Sequence, residues 1–190
     1  MDKKQMRERL KSVLKHSRYE HSLGVCSEAV RMAERFGADT DKAYIAGLLH
    51  DCAKCLSHNE EAELCKKYPD VADEMTLQCH PVLHAPLGAA IASNEYGITD
   101  PEILSAIRHH TTACSDMKLL DKIIYVADMI EPHRDYDGVD KLRRLADHDI
   151  DEAYSEAVRQ TLLHNIIKGA LIHPDTFDAW NSIVINKKAN

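Results

Sequence analysis

Two histidines and two aspartates stand in apolar surroundings that make their chemistry conspicuous. His50 and Asp51 follow directly on the run Ala43-Tyr44-Ile45-Ala46-Gly47-Leu48-Leu49, and Asp128 interrupts Ile123-Ile124-Tyr125-Val126-Ala127-Asp128-Met129-Ile130. His21 shares a helical face with Val25, Ala29 and Met32, which turns it inward. An ionised aspartate buried in such company is costly unless a cation or good hydrogen bonds compensate it. A divalent metal supplies that charge, and two imidazoles with two carboxylates make a mixed nitrogen and oxygen set suited to iron, manganese, zinc or another transition metal. Neighbouring helical residues point about 100° apart, so His50 and Asp51 reach one ion only where the chain approaches it closely. A bound metal acidifies water enough to furnish a nucleophile near neutral pH, and Asp51 could also orient it. Taken singly, each residue has a plainer reading: a hydrogen-bonded core histidine, or a buried aspartate paired with Arg or Lys. The combination argues for metal.

A second group of side chains could serve a phosphate substrate. His110, in Arg108-His109-His110-Thr111-Thr112, follows the apolar face of a helix that starts at Pro101, and His84 lies in Leu83-His84-Ala85-Pro86. These histidines, with His80 and His109, either complete a second metal position or bind phosphate and protonate a leaving group. His109 is expected to be more exposed than His110. Lys54, one turn beyond His50, and Arg134, after Glu131-Pro132-His133, are the nearest cations for a polyphosphate.

The elements that must position these groups are helices. Apolar residues recur at steps of three and four, sustained alternation is absent, and aromatics are 5% of the chain. Asp39 and Asp100 act as caps, with Pro101 opening a helix and Gly37 and Gly97 closing two. These signals predict an all-α bundle with helices near residues 3–15, 20–36, 40–56, 58–67, 86–96, 101–109, 117–130, 139–146, 150–170 and 174–185. The span 68–86 is the least regular, a loop that could carry His80 and His84 into a site.

At 190 residues, 44% apolar and 29% charged, the chain fits one globular domain, 1–190. Its net charge of -7 offers no field for a nucleic acid polymer or an anionic membrane, so bound polyphosphate needs a local cationic cluster. Neither a signal peptide nor a membrane span is legible, and six scattered cysteines suit free thiols in the cytoplasm. The Cys52-Ala53-Lys54-Cys55 pair lacks the further ligands of a zinc knuckle and reads as small apolar side chains on a helix.

In order and separation, His21, His50-Asp51 and Asp128 resemble the H…HD…D signature of the HD metal-dependent phosphohydrolases. Closer still, Arg18-Tyr19-Glu20-His21-Ser22-Leu23-Gly24-Val25, Ala46-Gly47-Leu48-Leu49-His50-Asp51-Cys52-Ala53-Lys54 and Tyr125-Val126-Ala127-Asp128-Met129-Ile130-Glu131-Pro132 resemble the YqeK family across nearly the whole chain. Those bacterial enzymes are symmetrical bis(5'-nucleosyl)-tetraphosphatases that split diadenosine tetraphosphate into two ADP and carry iron. The resemblance implies an HD-domain helical bundle in which His21, His50, Asp51 and Asp128 hold one iron ion, with a second ion left open. It implies that Arg18, Lys54, His84, His110, Thr111 and Arg134 contact nucleotide or phosphate, and that Asp51, His84 and His110 serve catalysis. The ligand would be a dinucleoside polyphosphate or a nucleoside diphosphate, and a homodimer is allowed. Where the pattern leads one to expect glycine, this chain has Ala113, a costly choice only if that residue is left-handed.

Two other readings stay open. The bare HD set also suits a deoxynucleotide phosphohydrolase, and the same ligands could serve a nucleotide- or metal-sensing module without turnover. A cyclic dinucleotide phosphodiesterase is disfavoured, because no Gly-Tyr-Pro follows the His-Asp pair.

Overall fold

In the computed structural model, which describes residues 1–189, the chain folds as a stack of eleven α-helices with no strand among the described residues. Helix α1 (Lys3–Val13) starts at a capping box between Asp2 and Gln5. Helices α2 (His16–Phe36) and α3 (Thr40–Leu49) form an antiparallel pair, the first ended by a left-handed Gly37 and the second capped by Asp39. Helix α4 (His58–Lys67) begins at a Ser57–Glu60 capping box and buries no residue. A short α5 (Glu74–Gln78) and a 3-10 turn (His80–Val82) lead into α6 (His84–Tyr96). Helices α7 (Pro101–His109), α8 (Leu119–Ile130), α9 (Val139–Ala146), α10 (Ile150–Lys168) and α11 (Pro174–Ala189) complete the bundle.

Helix α3 is the centre of the packing. It lies against α2, α7 and α8, and α8 in turn packs against α2 and α10. The inward face of α2 carries Val25, Ala29 and Met32, all fully buried, so the register that turns His21 inward is the observed one. Gly47 makes the α2–α3 contact close enough to matter. A Cβ there would sit 2.9 Å from the Cys26 Cα and 3.2 Å from its backbone nitrogen, so only glycine admits this approach of the two backbones.

The expected helices are present, with two instructive differences. Residues 40–56 were expected as one helix, but α3 stops at Leu49 and the chain continues in tight turns closed by bonds from Cys52 N to Leu49 O, Lys54 N to Asp51 O and Leu56 N to Ala53 O. Leaving the α-helix at this point frees Asp51 from the 100° offset and lets it face the same space as His50. Cys52 and Cys55 therefore lie in turns and not on a helix, as free thiols, with Cys52 Sγ donating to the Gly88 carbonyl at 3.4 Å. The span 68–86 is likewise more ordered than a loop, since Asp73 caps α5 and Pro81 suits the 3-10 turn.

Candidate metal and phosphate site

The second turn of α2, the end of α3 and the end of α8 converge on one buried cluster. His50 is completely buried and Asp51 is 3% exposed. His50 Nδ1 donates to the Gly47 carbonyl at 2.8 Å, so its Nε2 presents a lone pair. His21 Nδ1 lies 3.2 Å from Glu131 Oε1 and donates to it, so its Nε2 does the same. These two nitrogens face each other at 3.3 Å. Around them stand Asp128 Oδ1, 3.0 Å from His21 Nε2 and 3.9 Å from His50 Nε2, and Asp51 Oδ2, 3.9 Å and 3.7 Å from the same atoms.

Two ring nitrogens and two carboxylate oxygens are directed at a common space, with Arg18 on Asp51 and Arg134 on Asp128 at its edge, and a divalent ion there could take all four donors. Bonds of about 2.0–2.2 Å to nitrogen and oxygen set ligand separations of about 3.0–3.5 Å, close to the distances seen here. Burial pushes the His50 pKa down to about 4, which keeps the ring in its neutral, ligating form. For His21 burial also lowers the pKa, but the hydrogen bond and charge of Asp128 outweigh it and favour a positive group at Nε2. Burial pushes Asp128 and Asp51 upward, yet histidine neighbours, joined at Asp128 by Arg134, hold both well below the usual carboxylate range. The four residues named from sequence thus meet, and they fit a transition-metal ion.

Asp51 also faces the other way. Its Oδ1 lies 3.2 Å from His84 Nε2 and 3.5 Å from His110 Nε2, while Arg18 donates to Oδ2 at 3.2 Å. His110 Nδ1 donates to the Ile107 carbonyl at 2.7 Å, so its Nε2 accepts, and His84 Nε2 lies 3.2 Å from it. Lys54 Nζ lies against the edge of the His84 ring, 3.0 Å from Nδ1 and 3.1 Å from Nε2. Burial lowers the His84 pKa to about 4 and also lowers that of Lys54. Arg134 Nε donates to the Asp128 carbonyl at 2.7 Å and its NH2 to Asp128 Oδ1, gripping the aspartate from backbone and side chain together.

The positive groups are therefore local. Arg18, Lys54 and Arg134 stand beside Asp51, Asp128 and Glu131, so the site balances without an ion and carries an excess of positive charge once a divalent one is added. That inverts the field of a chain whose net charge is -7.

Three residues fall elsewhere. His80 stays outside the cluster, half exposed, with its Nε2 2.9 Å from Glu61. His109 is half-buried and more exposed than His110, as its place at the helix end implied. Thr111 borders a neighbouring cleft of about 340 Å³ with Arg108, His109, Thr112 and His173, and its buried hydroxyl has no hydrogen-bond partner among the described residues.

The sequence reading missed the role of Glu131. It is 2% exposed, accepts from His21 Nδ1 with Oε1 and from the His133 backbone N–H with Oε2 at 2.8 Å. Gly24 makes room for it, since a Cβ there would lie 2.6 Å from Glu131 Oε2. The signal was available: Glu131 stands three residues after Asp128, on the same side of the end of α8.

Residues 18–133, which include all four candidate ligands, match the HD domain family. The chain belongs to the HD-domain family. Within it, the chain is 41% identical to a Bacillus subtilis strain 168 protein named bis(5'-nucleosyl)-tetraphosphatase, symmetrical, over 92% of this chain and 94% of that one. A Staphylococcus aureus protein of the same name is 36% identical over 90% of this chain and 89% of its own. The crystal structure of a predicted HD superfamily hydrolase involved in NAD metabolism from Clostridium acetobutylicum superposes with a TM-score of 0.93 at 39% identity, covering 98% of both chains. This HD-domain chain therefore shares sequence with those relatives, and its fold with the Clostridium structure, over nearly its full length.

Proposed function

We propose that this HD-domain protein hydrolyses diadenosine tetraphosphate and related dinucleoside tetraphosphates symmetrically, giving two nucleoside diphosphates. The observation that carries the reading is the junction at Asp51: His21 and His50, with Asp128 beside them, face its Oδ2, to which Arg18 also donates, and His84, His110 and the Lys54 that lies against His84 stand at its Oδ1. Full-length similarity to proteins named for this activity supports it.

An ion held by His21, His50, Asp51 and Asp128 would supply Lewis acidity and an acidified water. Iron is the ion suggested by the family resemblance, and the donor set also suits manganese or zinc. Arg18, Lys54 and Arg134 bind the phosphate oxygens and neutralise their charge. Asp51, ionised throughout the neutral range, accepts a hydrogen bond from the attacking water and orients it toward a β-phosphorus. The new P–O bond forms as the attacked β-phosphorus's own bond to the bridging oxygen breaks, and that oxygen departs with the second nucleoside diphosphate. His84, neutral and with its proton on the Nε2 that faces His110, donates a hydrogen bond to that oxygen, and Lys54 beside the ring adds positive charge. Six free cysteines suit work in a reducing, cytoplasmic compartment.

The test is incubation of metal-replete protein with diadenosine tetraphosphate, with products separated by chromatography and a His50→Ala, Asp51→Ala double variant alongside. ADP as the sole product, lost in the variant, is expected. AMP plus ATP would overturn the regiochemistry, and no turnover of any dinucleoside polyphosphate would overturn the reading.

A further inference from the structure

Twelve histidines are more than the buried cluster uses, and two of the remainder meet on the surface. His58 opens α4 and His80 opens the 3-10 turn, 22 positions later in sequence, yet their ring centroids are 4.9 Å apart. Both address one atom: Glu61 Oε2 lies 3.2 Å from His58 Nδ1 and 2.9 Å from His80 Nε2. The Glu61 side chain is only 12% exposed, which limits its freedom, whereas the rings of His58 and His80 are 86% and 50% exposed. None of the three touches the buried cluster.

We propose that His58, Glu61 and His80 form a surface site for a zinc-class divalent ion that clips α4 to the turn leading into His84. Two imidazoles and a carboxylate are a three-ligand zinc set with a fourth position left to water. Tetrahedral zinc with bonds of about 2.0–2.1 Å separates its ligands by about 3.3 Å, so the two observed distances need open by only a few tenths of an ångström. All three ligand atoms already lie within 4.8 Å of one another.

The clip has mechanical work available to it. Helix α4 has no fully buried residue, and only the partly buried Leu64 and Cys65 pack it against the core. Its N-terminus lies just beyond Lys54, and the 3-10 turn ends two residues before His84. Binding at the clip would therefore stabilise the segment that carries two groups of the phosphate site.

The experiment equilibrates wild-type holoprotein and a His58→Ala, His80→Ala variant with Zn²⁺ by dialysis and counts metal per chain by mass spectrometry. The variant should hold one equivalent less. Trypsin cleavage after the exposed Lys66 should slow several-fold with Zn²⁺ in the wild type and not in the variant. Equal metal content would overturn the site, and equal cleavage rates with and without Zn²⁺ would overturn the clip. Should circular dichroism show the double variant misfolded, His58→Gln alone, altering one highly exposed ring, carries the same comparison.

Discussion

Glu131 Oε1 accepts the Nδ1 proton of His21 at 3.2 Å, which fixes the ring so that Nε2 faces His50 and the two aspartates. The carboxylate is itself held by the His133 backbone, and although burial raises its pKa, those hydrogen bonds and His21 bring it down. It therefore stays ionised beside the imidazole at neutral pH.

Glu131→Gln keeps the shape but weakens this anchor. The expected result is a loss of metal affinity of about 10–100-fold with the fold intact. Titration with a competing chelator measures it, and an affinity equal to the wild type's would deny Glu131 a positioning role.

Gly47→Ala tests the close contact that brings His50 towards His21. Alanine improves helix propensity by about 1 kcal/mol, but overpacking a core costs about 1–3 kcal/mol. The obstruction here is Cys26 backbone, which cannot rotate aside, so overpacking wins. A lower urea midpoint is expected, together with weaker metal binding. A midpoint at or above the wild type's would show that the two helices can separate freely.

Ala113 has φ of 58°, and no other non-glycine among the described residues has a positive φ. The condition under which the missing glycine matters is thus met. Left-handed geometry costs an L-residue about 1–2 kcal/mol, while the buried methyl contributes about 0.8 kcal/mol. Ala113→Gly should leave stability unchanged or raise it by up to about 1 kcal/mol. Ala106→Gly, equally buried but within α7, should lose about 2 kcal/mol from propensity and burial together. Denaturant midpoints for the two variants that fall by similar amounts would contradict this account.

Glu156, on α10, supplies a pH-dependent contact. Hydrogen bonds from Arg159 lower its pKa most, burial opposes them, and Gln160 and Lys141 add to the lowering, which reaches about 2. The folded value lies below the ordinary 4.5. Its stabilisation is therefore fully present above pH 4.5 and is lost as pH falls through that range towards 2. The stability gap between wild type and Glu156→Gln should be widest at pH 6–7 and shrink on acidification, as followed by urea denaturation at each pH. A gap independent of pH would remove the ionised carboxylate as its cause.

The sequence by itself determined the helical class, most helix boundaries and the four residues of the buried set. Helical periodicity and caps are local properties, and an ionisable group inside an apolar run is conspicuous wherever the chain later goes. Tertiary structure decided the rest. The end of α3 at Leu49, against an expected helix to residue 56, depends on how the turns after it fit between neighbouring helices, and it gives Asp51 its two-sided position. Glu131 was visible as a residue, but its purpose exists only because α2 and α8 bring His21 against it. His80 and His84 are alike in sequence and separate in space, one on the surface with His58 and one buried with His110. Spacing along a chain records which side chains share a face; which faces meet is settled by packing between elements distant in sequence.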